Sequence, residues 1–262
     1  AERRDRWDRM QQVATDADVS LIRVDACDAD DAGRFEPPPT KLKTQSGRKL
    51  ATVEVACVLS HWKSWRMFIE SNAAAAVVLE DDVVLSPDFA ALLQADWIPA
   101  QADIVRIEAS RRDNVLEHIR SIPGHDRQLG RMKTSQYGTG GYAITRKGAE
   151  KLINAQGAIL DPIDMTMFSR RSPLFRKLVT YQMFPAPVIQ GMIAYGATTE
   201  GWVASTIGTD RARLAKTMIP PAKYDEQALP NRNQATRRRL RRWIRLPFRR
   251  LSGRRKEWID FR

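Results

Sequence analysis

Apolar positions recur at helical and strand spacings through most of the first 190 residues. Residues 1–20 place Trp7, Met10 and Ala14 on one helical face, and Leu21 to Val24 follow as a short predicted strand. Asp25 to Lys49 is polar, with Asp28, Asp30 and Asp31 ahead of Pro37-Pro38-Pro39, and reads as a long functional loop. A helix is predicted from Thr52, taken as its cap, to about Glu70. Its apolar or small stripe is Val53, Ala56, Cys57, Ser60, Ser64, Met67 and Phe68. Ala75 to Leu79 then reads as a strand ending in Glu80-Asp81-Asp82, and Ser86-Pro87-Asp88 starts a helix carrying Phe89, Leu92 and Leu93.

Ile104 to Ile107 is a further strand, whereas residues 111–136 show no dominant period. Tyr137 to Tyr142 is a glycine-rich turn entering a strand through Ile144, after which Thr145 caps a helix to about Gly157. Asp161-Pro162-Ile163-Asp164 opens a short helix, and Leu178 to Ile189 holds a strand interrupted by Pro185 and Pro187. Strands alternating with helices predict an α/β domain with a mostly parallel central sheet flanked by helices.

Charge divides the chain. The net charge is +12. Residues 231–262 hold thirteen basic residues against Glu257 and Asp260, which leaves 1–230 nearly neutral. The expected organisation is a domain over 1–230 and a basic tail over 231–262. Leu240, Trp243, Ile244, Phe248 and Leu251 share a helical face in that tail, although Pro247 would kink a helix. A basic segment with an apolar face suits an anionic membrane surface, and that face favours a membrane over nucleic acid. No apolar run approaches the roughly 18–20 residues of a membrane span, no signal peptide is read at the start, and Cys27 and Cys57 match no zinc or redox spacing. The expected location is cytoplasmic, peripheral on the inner face of the membrane.

Glu80-Asp81-Asp82 is the strongest chemical signal. Val77-Val78-Leu79 and Val83-Val84-Leu85 on either side call for burial, while three adjacent carboxylates resist it. Mg²⁺ or Mn²⁺ would resolve the conflict, and the end of a strand is where open α/β sheets bind ligands. The plainer alternative is a turn capped by Asp81 and Asp82.

Glu54 to His61, then Trp65, then Val78 to Val83 resemble the core of glycosyltransferase family 25. Matches continue in order at Arg3-Arg4, Val24-Asp25-Ala26, Gly138 to Tyr142, Gly148-Ala149, Pro162-Ile163-Asp164, Pro187 to Gln190 and Ser205-Thr206-Ile207. The resemblance implies a GT-A-like fold and inverting transfer of a hexose to a hydroxyl of a lipooligosaccharide or other surface glycan. Galactose from UDP-galactose is the implied donor, with a glycan or lipid-linked acceptor. It implies Glu80 or Asp81 toward the ribose and Asp82, with Glu80, toward Mn²⁺ or Mg²⁺. Family members usually carry a Val-Ile-Asn-Leu type of strand ahead of the Arg-Arg segment; this sequence starts at Ala1 without it, either because it is a fragment or because the start has been lost.

Asp164 is the expected catalytic base, with Asp161 second and better explained as a helix cap. Gly138 and Thr139 are expected to approach the donor through the backbone and Tyr142 to stack on it, a tight turn with a core tyrosine being the alternative. His61 is expected to support the donor site, or else to be a packed helical histidine. Two other functions fit less of the sequence. One is a different metal-dependent enzyme of phosphorylated substrates, for which no phosphate loop is evident; the other is a degenerate, non-enzymatic protein that binds a membrane or nucleic acid.

Overall fold

A computed structural model describes residues 4–28, 50–93, 96–155, 161–195 and 253–262. Helix α1 (Arg4–Asp16) buries Met10 and Ala14, on the face its pattern predicts. Leu21 to Val24, expected as a strand, pairs with no sheet. Helix α2 (Thr52–Glu70) is capped by Ala51 rather than Thr52, and the Ala51 amide donates to Glu54 Oε2 at 2.9 Å. Its buried face carries Val55, Val58, Leu59, Trp65 and Phe68, while Met67 is 38% exposed. The expected stripe was therefore rotated, because the largest side chains choose the face that meets the sheet.

The main sheet has seven strands in the order β1-β6-β3-β7-β5-β4-β9. These are β1 (Ala75–Leu79), β3 (Ile104–Arg106), β4 (Asp113–Ser121), β5 (Gln128–Met132), β6 (Gly141–Thr145), β7 (Thr180–Phe184) and β9 (Arg255–Trp258). The expected parallel sheet is corrected: β3–β7 alone is parallel, and the other neighbouring pairs are antiparallel. Two chain paths account for this. β4 and β5 form a hairpin around Gly124, and β6 returns antiparallel between β1 and β3. The α/β architecture remains compatible with a single GT-A-like domain. A separate ribbon pairs β2 (Val83–Leu85) with β8 (Val188–Gln190).

Both sheet faces are covered. Tyr142 and Ile144 of β6 join one core with Trp65, Phe68 and Phe168, while Ala143 joins the other with Phe89, Val105 and Met183. Every residue of β7 is buried, so that strand carries no amphipathic alternation. The remaining helices are α3 (Phe89–Leu93), α4 (Arg146–Asn154), α5 (Ile163–Phe168), α6 (Pro173–Lys177) and α7 (Gly191–Tyr195). Thr145 caps α4 as expected, its hydroxyl accepting from the Gly148 amide at 3.2 Å. The helix meets the loop before β3 closely. A Cβ at Gly148 would lie 2.1 Å from the Asp103 carbonyl oxygen. Gly148→Ala is expected to destabilise the fold by about 1–3 kcal/mol despite the better helix propensity of alanine. Urea unfolding would measure this, and unchanged stability would contradict the close approach.

The tail boundary also changes. Residues 253–262 belong to the domain: β9 pairs with β4, Ile259 is fully buried, and Phe261 bridges to Ala186. The Arg262 carbonyl accepts from Arg127 at 2.6 Å. The expected apolar face from Leu240 to Leu251, most of the 25–49 loop and Ser205-Thr206-Ile207 lie outside the described residues. Among the described residues no helix is long and apolar enough to cross a membrane.

Candidate active site

Three consecutive acids follow β1, and the glycine turn lies beside them. The Glu80 amide donates to the Gly140 carbonyl at 3.0 Å, extending the β1–β6 ladder past Leu79. On the other side the β2–β8 ribbon holds the cluster, since the Gly191 amide donates to the Asp82 carbonyl at 2.7 Å. Backbone pairing thus fixes the chain on both sides of the three acids.

Each acid has its own environment. Glu80 accepts from the Thr139 hydroxyl at 2.5 Å and from Gln190 at 3.4 Å, and its Oε1 lies 3.7 Å from His61 Nε2. Burial pushes the Glu80 carboxyl up, but the hydrogen bond and charge of His61, with Thr139 and Gln190, outweigh it and hold it below its ordinary value. Asp81 is half exposed and pairs with Arg6 of α1 at 2.6 Å. Asp82 differs. Its Oδ1 is buried with no hydrogen-bond partner, and burial with the charges of Glu80 and Asp81 pushes its pKa up to about 7. A buried, unpartnered carboxylate oxygen beside two other carboxylates is an arrangement that a hard cation relieves.

A buried hydrogen-bond chain stands behind Glu80. Trp65 Nε1 donates to the Tyr142 hydroxyl at 2.8 Å, and that hydroxyl lies 2.8 Å from His61 Nδ1. Trp65 can only donate, so the Tyr142 hydroxyl accepts from it. The other His61 ring nitrogen, Nε2, faces Glu80. Tyr142 is fully buried, and burial raises its pKa well above the ordinary phenol value, which keeps it neutral. Its ring lies wholly within the core, as in the alternative of a tight turn with a core tyrosine. Tyr142→Phe is expected to strand the Trp65 and His61 nitrogens and cost about 1–3 kcal/mol of stability, read by urea unfolding. An undiminished unfolding midpoint would refute the chain.

Strand reading passed over one pair. Arg106 and Glu108 are both buried, and Arg106 Nη2 donates to Glu108 Oε2 at 2.9 Å and to the Tyr137 carbonyl at 2.7 Å. Glu108 Oε2 also accepts the Gly140 amide at 3.1 Å, and a Cβ at Gly138 would lie 2.6 Å from Glu108 Oε1. Gly138, with φ of +87°, is required both by its backbone conformation and by this carboxyl beneath it. Burial raises the Glu108 pKa to about 7; Arg106 opposes the rise, and Glu80 and Asp82 add to it. The available signal was two charges at alternate positions inside the apolar run from Ile104 to Ala109.

Asp164 reaches the same turn. Its Oδ2 accepts the Gly138 amide at 3.4 Å and its Oδ1 accepts the Met165 amide at 2.8 Å. Asp161 precedes Pro162, the cap of α5, and its backbone carbonyl accepts the Thr166 hydroxyl at 3.0 Å. Glu80, Thr139, Gly138 and Asp164 therefore form one connected rim. Cys57, one turn before His61 on α2, brings a thiol into the neighbourhood: Cys57, His61 and Glu80 each offer a ligand atom within 4.8 Å of the others. Neither cysteine forms a disulfide.

Comparison with known proteins converges on this region. The chain is 26% identical over 196 residues to the lipooligosaccharide biosynthesis protein lex-1 of Haemophilus influenzae, covering 71% of this chain and 63% of that one. It is 27% identical over 181 residues to procollagen galactosyltransferase 2 of Mus musculus, covering 62% and 28%. Against the lacto-N-neotetraose biosynthesis glycosyltransferase LgtB of Neisseria meningitidis the identity is 29% over 130 residues, covering 46% and 47%. The chain thus spans less than two thirds of each of these relatives. The sequence profile of glycosyltransferase family 25 (LPS biosynthesis protein) matches residues 1–167, which include α2, the three acids and Asp164. With most of its length under that match, the chain belongs to glycosyltransferase family 25.

Proposed function

We propose that this chain is an inverting, metal-dependent glycosyltransferase that moves a hexose, galactose from UDP-galactose, onto a hydroxyl of a surface glycan such as lipooligosaccharide. The observation that carries the reading is the buried, unpartnered Asp82 oxygen beside Glu80 and Asp81, within a chain of family 25. Relatives named for lipooligosaccharide biosynthesis and for procollagen galactosyl transfer support a sugar donor and a glycan acceptor.

Asp82, with Glu80, would hold Mn²⁺ or Mg²⁺, since hard cations take oxygen ligands. The Cys57, His61 and Glu80 set mixes thiol, imidazole and carboxylate, which suits zinc better. A bound cation supplies charge neutralisation to the departing diphosphate. The protein's own groups do the rest. Thr139, Gln190 and the His61 chain fix the Glu80 carboxylate, and Arg6 fixes Asp81, so that ribose and diphosphate meet oriented oxygens. The acceptor oxygen bonds to the anomeric carbon as the bond to the nucleoside diphosphate breaks. Asp164 takes the acceptor's proton, from a position held against the Gly138 amide.

A screen of nucleotide-sugars for binding and hydrolysis, with and without Mn²⁺, tests this. Saturable, cation-dependent binding of UDP-galactose is expected, and failure of every nucleotide-sugar under every metal condition would end the proposal. The basic segment is proposed to hold the enzyme to the anionic inner face of the membrane. Because residues 253–262 pair within the sheet, the informative change replaces 231–252 by a neutral linker. Lost sedimentation with anionic vesicles and retained donor hydrolysis are expected; undiminished sedimentation would remove the segment from that role.

A further inference from the structure

Helix α2 turns two metal-ligating side chains toward the first of the three acids. Cys57 and His61 stand four residues apart on that helix, so both lie on one face, a turn apart. Strand β1 delivers Glu80 to that face, and the thiol, the imidazole and the carboxylate each offer a ligand atom within 4.8 Å of the others. Ligand atoms that share one tetrahedral zinc stand roughly 3.3–3.6 Å apart, as its bond lengths of about 2.0–2.3 Å require. His61 Nε2 and Glu80 Oε1, 3.7 Å apart, are already near that spacing. The partly buried thiol has at most about 1.2 Å to close.

Two of the donors are oriented from behind. The Tyr142 hydroxyl, 2.8 Å from Nδ1, holds the imidazole with Nε2 toward Glu80. Thr139 and Gln190 hold the Glu80 carboxylate. Metal-binding imidazoles and carboxylates are commonly fixed in this way by partners one step out. The donor types then select the ion. Mn²⁺ and Mg²⁺ take oxygen, whereas a thiolate beside an imidazole favours zinc, and three protein donors leave a fourth position for water. Cys57 and Glu80 are only partly buried, which gives an ion access to the set.

We propose that Cys57, His61 and Glu80 form an inhibitory zinc site that competes with the donor site for Glu80. Zinc takes the place of the thiol proton, which passes to solvent, and bonds to Sγ, to an imidazole nitrogen and to a Glu80 oxygen. The effect on turnover rests on the assignment of Glu80 and Asp82 to the donor and its cation; the zinc site itself does not. A carboxylate drawn to zinc no longer faces the donor, and two dications so close repel each other. By linkage, Mn²⁺ at Asp82 weakens zinc binding by the same factor as zinc weakens Mn²⁺.

The test uses the full chain in a phosphine reductant, with Co²⁺ as the spectroscopic probe. A thiolate-to-cobalt charge-transfer band is expected, saturating at one ion per chain and displaced by Zn²⁺. The band should persist in Asp82→Asn and in Cys27→Ser and vanish in Cys57→Ser, with Cys57→Ala as its apolar counterpart. Competition against a chromophoric chelator should show zinc held at least about tenfold more weakly by Cys57→Ser than by the parent. No band in the parent, or an undiminished band in both Cys57 variants, would overturn the site. A second arm reads Mn²⁺-dependent hydrolysis of UDP-galactose. Equimolar zinc is expected to suppress it about tenfold in the parent and to leave Cys57→Ser within about twofold of its zinc-free rate. Equal suppression of both would refute the inhibitory role. If no nucleotide-sugar is turned over at all, the glycosyltransferase reading fails, and the cobalt band still decides the zinc site.

Discussion

Asp82→Asn is expected to lower cation-dependent turnover of the nucleotide-sugar by roughly a thousandfold, about 4 kcal/mol of transition-state stabilisation. The asparagine keeps the size of the side chain but removes the charge that a cation needs at the buried Oδ1. Folding should not suffer, because the aspartate is already strained by burial and by Glu80 and Asp81. In the absence of metal the variant should be as stable as the parent or slightly more so. Single-turnover hydrolysis with and without Mn²⁺, alongside urea unfolding, reads both effects. Full turnover by a folded Asp82→Asn protein would remove Asp82 from the site. The corresponding change at Asp81 should be milder, since that carboxylate is half exposed and answered by Arg6.

The second large effect is on stability against pH in the presence of a chelator. Asp82 and Glu108 both have pKa values pushed up to about 7, from ordinary values of 3.8 and 4.5. Between those ordinary values and 7 the folded chain holds more protons than the unfolded chain, so stability falls as pH rises. The loss is complete above about pH 7, on the order of 3–4 kcal/mol for each group. Glu80, Asp88 and Glu117 are shifted downward, and their contribution is lost only as pH falls below the ordinary carboxylate range. They do not offset the decline. Unfolding midpoints measured from about pH 5 to about pH 8 should decrease, and Asp82→Asn with Glu108→Gln should flatten the curve. Adding Mn²⁺ should restore the Asp82 share at high pH, because a bound cation repays its ionisation. A curve that rises across this window would show that the two carboxyls are not buried together.

The buried pair Arg106 and Glu108 joins these effects. It carries no exposed chemistry, yet it sits under the turn that positions Thr139 against Glu80. Its ionisation is tied to that of the acids above it, since Glu80 and Asp82 both raise Glu108. The glycines at 138 and 140 are explained by the same contact, as a side chain at either would press on the Glu108 carboxyl. What reads along the chain as a glycine-rich turn is in space a thin cover over a buried carboxyl.

The sequence alone determined the features that depend on neighbours in the chain. The strand from Ala75 to Leu79 and the three acids after it are legible because an apolar run ending in charge is a local contradiction. Thr145 as a helix cap is legible because capping needs only three residues. The α/β class and the family follow from the order of such motifs. Tertiary structure alone decided the rest, and the reason is that pairing is a contact between distant segments. Nothing local says that β6 runs antiparallel between β1 and β3, so the sheet came out mixed rather than mostly parallel. Residues 111–136 hid a hairpin because its register shifts between Glu117 and Arg120, and His118, with φ of 51°, breaks the alternation. Residues 253–262 read as tail because their charge is local, while their pairing partner lies more than a hundred residues earlier. The acids were visible from the start. The opposite shifts of Glu80 and Asp82, set by burial, by His61 and by the neighbouring charges, exist only in the fold.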